Sequence, residues 1–228
     1  MDEGISAFRN YLPIVSNSVP LGEFIDHHFS HLEGCVNNGL YSSSLTHLHI
    51  LYMVFVYIHI FRIADLNQDS FKHSLVGFPH QEKEVLKDRY FPLVLSVINE
   101  KTVFRFFRLN NFTEQLIGEI ASPVSTRNDC LHANGKIICK DEESFEKELN
   151  SYLNKMEKIN KGNGNVLNDL YEAMALDDLL LDEEYELTED DIETNVLLAG
   201  GFSFEELKLV TTGKTDKVSL FIVENTLS

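Results

Sequence analysis

An all-α fold is expected for this 228-residue chain from three observations. Apolar residues recur at helical spacing along most of it, with Phe145, Leu149, Tyr152, Leu153, Met156 and Ile159 as the clearest stripe. Helix start and stop residues bracket the periodic runs. One long run, Leu48 to Ala64, is apolar on nearly every face, as a central helix covered from several sides would be. The expected architecture is an antiparallel helical bundle over residues 1–160, a linker at 161–165 and an acidic, mostly helical C-terminal extension at 166–228.

Taken in order, residues 5–16 and 20–38 read as two short helices, with Pro13 and Pro20 near their boundaries and Asn37-Asn38-Gly39 as a stop. The spine helix follows at about 43–64, opened by Ser42 to Ser44. A polar, breaker-rich stretch at 65–79 leads to a helix beginning near His80, which Pro92 kinks or splits. The helical signal continues over 91–99, 102–109 and 112–121. Ser122-Pro123 reads as an N-cap with proline at the first helical position, and Asn134-Gly135 as a stop, so a short helix is expected at about 123–133. Residues 136–140 suit an extended connection, and Asp141 caps a helix to about Asn160. Lys161-Gly162-Asn163-Gly164-Asn165 is the clearest linker. Beyond it, 166–181 and 188–199 have helical patterns, Ser203-Phe204-Glu205-Glu206 is a capping box for a helix to about Thr211, and 218–223 reads as a strand.

The net charge of -17 argues at first against a nucleic-acid binder. It is unevenly distributed: residues 1–165 hold 16 Lys and Arg against 20 Asp and Glu, whereas 166–228 hold 3 against 16. The acidic region is then a solvated surface, a docking element for a basic partner, or an RNA mimic lying over a cleft. Three cysteines, Cys35, Cys130 and Cys139, fit neither a zinc site nor a disulfide framework, and point to a reduced, cytoplasmic protein. The start lacks the basic and apolar regions of a signal peptide. His49, His59 and Arg62 make the spine a buried core helix rather than a membrane span, and no membrane association is expected.

The segment Arg127-Asn128-Asp129-Cys130-Leu131-His132 sets a permanent cation and a titratable imidazole close together. Six Arg and nine His would produce such a pair by accident about 0.25 times, and with Asn directly after the Arg about 0.02 times. RNA can be cut without a metal when its own 2'-hydroxyl attacks phosphorus, which needs a base, an acid and positive charge on the phosphate. His132 is the right type for proton transfer and Arg127 for the charge, while Asn128 could orient either. On an ideal helix the two side chains lie about 140° apart, so they converge only through a loosened turn or the reach of the arginine.

The triple Arg127-Asn128-x-x-x-His132 resembles the signature of the HEPN superfamily, all-helical domains in which an Arg, a polar residue and a His cleave RNA without metal. The resemblance implies a HEPN-like bundle, Arg127 and His132 as catalytic residues, Asn128 as a substrate-binding residue, and no metal or other cofactor. It further implies RNA as substrate, a homodimer that faces two motifs across one cleft, and a role as a toxin or in antiviral defence. An antitoxin or basic protein is the partner the acidic region would take. Asn134 stands where HEPN toxins controlled by nucleotidyltransferase antitoxins carry a modified Tyr, so adenylylation control is not implied. The competing expectation is a non-catalytic helical dimer, an interaction or RNA-binding protein whose acidic tail recruits a partner.

Other constellations read as structural. Glu23, His27 and His31 recur at i, i+4 and i+8 with Asp26 and His28 alongside, which admits a metal but lacks a His-Glu-x-x-His signature and reads as a wet histidine face. His47, His49 and His59 read as core or interface polar contacts. Phe104, Phe106, Phe107 and Phe112 among Lys101, Arg105 and Arg108 read as a core-facing stripe with a basic outer side. No phosphate-cradling glycine loop, serine nucleophile elbow or dinucleotide fingerprint is present.

Overall fold

A helix that is apolar all round must be enclosed, and the rest of the chain is arranged to enclose one. In the computed structural model, which describes residues 2–14, 19–89, 91–131, 138–175, 186–225 and 227, that spine is α3 (Tyr41–Leu66), 26 residues long. By length and composition it could cross a membrane, but 78% of its 18-residue apolar window is buried within the protein. Before it come α1 (Asp2–Arg9) and α2 (Val19–Asn37). The turn between α2 and α3 forms where expected: Gly39 takes a left-handed φ of 69°, and Leu40 N–H donates to the Cys35 carbonyl at 2.8 Å.

The middle of the chain is short-stepped. It comprises α4 (Gln68–Ser74), α5 (His80–Asp88), α6 (Phe91–Val97) and α7 (Glu100–Val103), then a 3-10 helix at Phe104–Asn110. Phe104, Phe106 and Phe107 are buried, and Arg105 and Arg108 turn to Ser74 and Glu114, so the stripe is core with a basic exterior. Two long helices close the bundle, α8 (Glu114–Leu131) and α9 (Glu142–Gly162). Asp141 and Ser144 form a reciprocal cap on α9, whose Phe145, Leu149, Tyr152, Met156 and Ile159 are fully buried.

Three local expectations are corrected. Ser122-Pro123 does not start a helix, because α8 runs straight through Pro123. The missing N–H costs about 3 kcal/mol in an isolated helix, but Ile117, Ile120 and Val124 continue one buried stripe across the proline. Tyr52 of the spine also donates to the Ile120 carbonyl at 2.6 Å, tying the helix down there. Residues 218–223 are not a strand but part of α13 (Lys217–Asn225), which buries Val218, Ser219 and Ile222 at helical spacing. Residues 161–165 are not an open connection either. Helix α9 ends at Gly162, α10 (Gly164–Ala175) starts two residues later, and Asn163 between them is fully buried. Gly162 is required there, since a Cβ would stand 2.3 Å from the Phe112 ring.

The acidic region continues with α11 (Glu189–Ile192), a π-helical stretch at Glu193–Leu198, and α12 (Phe204–Thr211) before α13. Its buried residues form a second cluster, from Leu167 and Tyr171 to Val218 and Ile222. Ser203 and Glu206 make the expected capping box on α12. The first helix stops at Arg9 instead of near residue 16 because the chain beyond it pairs with this region. Ile14 N–H donates to Phe202 O at 2.9 Å, Glu205 N–H to Asn10 O at 3.1 Å, and Pro13 and Ser203 form an isolated antiparallel bridge. Among the described residues there is no β-strand, and the all-α class stands.

Candidate functional site

A histidine inside an all-apolar helix has to find polar partners, and His49 of α3, 1% exposed, has two. The Tyr152 hydroxyl of α9 lies 3.1 Å from its Nδ1, and the Glu100 carboxylate of α7 lies 3.2 Å from its Nε2. Since a carboxylate only accepts, Nε2 carries a hydrogen and donates to Glu100, and Nδ1 is paired with the tyrosine hydroxyl. Burial pushes the Tyr152 phenol well above its ordinary range, which keeps its proton in place for that bond. Glu100 in turn accepts from the Arg127 guanidinium of α8 in a close ion pair. Burial raises the Glu100 carboxyl, but the His49 hydrogen bond and charge and the Arg127 cation outweigh it, and the group sits below its ordinary value.

The chain Tyr152–His49–Glu100–Arg127 thus runs from the bundle interior to the surface, with side-chain exposure rising to 15% at Glu100 and 24% at Arg127. It ends at an open cleft of about 380 Å³ whose walls include Asn99, Glu100, Lys101, Arg127 and Asn128, over a floor of Ile98 and Val124. Asn99 caps α7 by accepting from the Lys101 N–H at 3.1 Å, which fixes the turn that carries Glu100 and Lys101.

Arg127 and Asn128 therefore share one cleft wall, as neighbours near the end of α8. Their helix position differs from the expected one: Arg127 lies thirteen residues after Glu114, where α8 starts, so no N-terminal dipole assists a phosphate there. His132 and the Asn134-Gly135 stop lie outside the described residues. Glu100 escaped the sequence reading, and Lys101, His49 and Tyr152, which join it in the site, were read only as part of a basic exterior, a core or interface polar contact and a member of an apolar stripe. The available signal was His49 itself, since a buried imidazole implies two partners, but nothing in the spacing names Glu100 or Tyr152.

A second His–Glu–Arg group lies ten residues further along α3. His59 Nε2 stands 3.2 Å from Glu206 Oε1, out of line for a hydrogen bond, and Asn163 Nδ2 donates to its Nδ1 at 3.1 Å. Arg62 pairs with both Glu206 oxygens and donates to the Gly200 and Gly201 carbonyls at 3.1 and 2.8 Å. All of it is buried, so it fastens α12 to the spine and offers no access to a ligand.

No family model, curated protein or solved structure matches this chain.

Proposed function

We propose that the cleft at Arg127 handles a phosphodiester of single-stranded RNA, and that the protein is a metal-independent endoribonuclease of HEPN kind. It acts as a cytoplasmic homodimer in a toxin or antiviral-defence role. The observation that carries this reading is that Arg127 and Asn128 line an open cleft together with Lys101, with the guanidinium held by Glu100. Two cations and two amides facing one groove suit a phosphate and its sugar.

In the reaction, the 2'-oxygen bonds to phosphorus as its proton passes to a base. The bond from phosphorus to the 5'-oxygen then breaks, and that oxygen takes a proton from an acid. The products are a 2',3'-cyclic phosphate and a 5'-hydroxyl, with no oxidant or cofactor required. His132 is assigned the proton transfers, Arg127 the charge on the pentacoordinate phosphate and Asn128 its orientation. A two-fold dimer brings groups from both subunits to each phosphate, which relieves the angular separation of residues 127 and 132 along a helix.

The competing reading is a non-catalytic helical interaction protein whose acidic region recruits a basic partner. It is favoured by the ion pair itself, because an Arg held by a half-buried Glu also serves simply to tie α7 to α8. The two are separated by incubating single-stranded RNA with the full chain in excess EDTA. Cleavage to 2',3'-cyclic phosphate ends is expected from the wild type and lost in Arg127→Ala and in His132→Ala, both with unchanged helical content. Cleavage that persists in either variant, needs a divalent ion or leaves 3'-hydroxyl ends would overturn the reading.

A further inference from the structure

The histidines of α2 do not face solvent alone. The spine helix contributes His47 to the same place, and four imidazoles from two helices pack together there. His28 and His47 share a hydrogen bond between their Nδ1 atoms at 3.0 Å. The His27 ring centroid is 5.2 Å from that of His28 and 4.4 Å from that of His31. His31 lies nearly parallel to His47, at 12° and 5.2 Å, and Phe24 packs on His28 at 4.4 Å and limits its rotation.

We propose that His28 and His47 are two ligands of a late first-row divalent ion such as Zn2+, which takes the place of the hydrogen bond between them and is completed by His31 or His27 and by water. Two imidazole nitrogens each bound at about 2.0–2.1 Å to one ion, and separated by about 90–110°, stand about 2.9–3.4 Å apart. The His28–His47 distance falls in that interval. Among the described residues no three His, Cys, Asp or Glu side chains already surround a common point, so the third ligand has to turn in. His27 and His31 are both exposed, and exposed side chains change rotamer within nanoseconds. They stand one helical turn apart, so either reaches the same side of α2.

The chemistry of the cluster suits such an ion. Neutral imidazoles favour zinc, nickel and copper over magnesium and calcium. Glu23, Asp26 and Glu33 on α2 add negative potential. Asp26 also pairs with Arg9 of α1 at 3.7 Å, and Arg9 packs over Phe29, so that cation is engaged away from the rings. This site shares only the spine helix with the Arg127 group and does not depend on the reading of that cleft.

The test is titration of the EDTA-stripped full chain with Zn2+ alone at neutral pH by calorimetry. One equivalent is expected to bind and to raise the melting temperature, with Mg2+ doing neither. The isotherm should vanish in His28→Asn/His47→Asn and remain in His80→Ala, an exposed histidine outside the cluster. Imidazole 15N spectra of the wild type provide a reading that needs no variant: the Nδ1 resonances of His28 and His47 should shift on adding Zn2+. Unchanged resonances, or a folded double variant that binds as the wild type does, overturn the proposal.

Discussion

The spine helix carries two groups built from the same three residue types, and they end in opposite situations. At His59 the carboxylate of Glu206 and the guanidinium of Arg62 are both buried, and Arg62 also donates to two backbone carbonyls. At His49 the carboxylate of Glu100 and the guanidinium of Arg127 emerge at a cleft shared with Lys101 and Asn128. In both, a neighbour pairs with Nδ1 of the imidazole: Asn163 in the first, Tyr152 in the second. The difference teaches that residue identity does not mark a functional group. What separates a fastening from a candidate site is where the arginine ends, against its own backbone or against open space.

The largest test of this contrast removes a charge from each group in turn. Glu206→Ala leaves Arg62 buried without a counter-ion and should cost about 3–5 kcal/mol, read from urea unfolding. Replacing both partners, Arg62→Met with Glu206→Leu, should recover most of that loss, because no charge is then left buried. A loss under about 1 kcal/mol in Glu206→Ala would show that water reaches this pair, as it would at a surface ion pair.

An intermediate effect is expected from pH. Burial is the leading cause that brings His59 down to about 4, overriding the carboxylate of Glu206 that would raise it. In the unfolded chain histidine titrates near ~6.5. Between these values the unfolded chain binds a proton that the folded one does not, so stability from this group is complete above ~6.5 and lost as pH falls toward 4. Glu206 adds to the loss below the usual carboxylate range, since its carboxyl is lowered in the fold: burial alone would raise it, but the charges of Arg62 and His59 prevail. His59→Gln should flatten the dependence of the unfolding free energy between pH 6.5 and 4, and a slope equal to the wild type would remove this assignment.

The smallest effect is expected at the open group. Arg127→Ala should cost only about 1 kcal/mol in the same unfolding experiment, since Glu100 can take up water through the cleft while keeping its bond to His49. A cost matching that of Glu206→Ala would make the two groups equivalent, and Arg127 a fastening as well.

Much of the local structure was legible because it depends on neighbours in sequence. The Asp141 and Ser203 caps, the Gly39 stop, the stripe of α9 and the enclosed spine all follow from contacts within one or two turns. The errors came where local signals competed with distant burial. Pro123 looked like a beginning, but a buried stripe and the Tyr52 hydroxyl carried α8 through it. Residues 218–223 looked like a strand, but the core of the C-terminal region accepts them as a helix. The glycines at 162 and 164 looked like slack, but Gly162 is small because the Phe112 ring lies against it.

By itself the sequence determined the helical class, the periodic faces and the pair Arg127-Asn128 as a place of interest, because spacing along a helix and the charge of a side chain are local properties. Only the tertiary structure decided that Arg127 answers to Glu100 and through it to His49 and Tyr152. It also decided that Arg62 and Glu206, 144 residues apart, fasten the acidic region to the spine, and that His47 joins the histidines of α2. A buried polar group must be satisfied, but sequence does not say by which partner. That choice is made by helices meeting in space, where the cost of leaving a buried group unpaired favours the packing that pairs most of them.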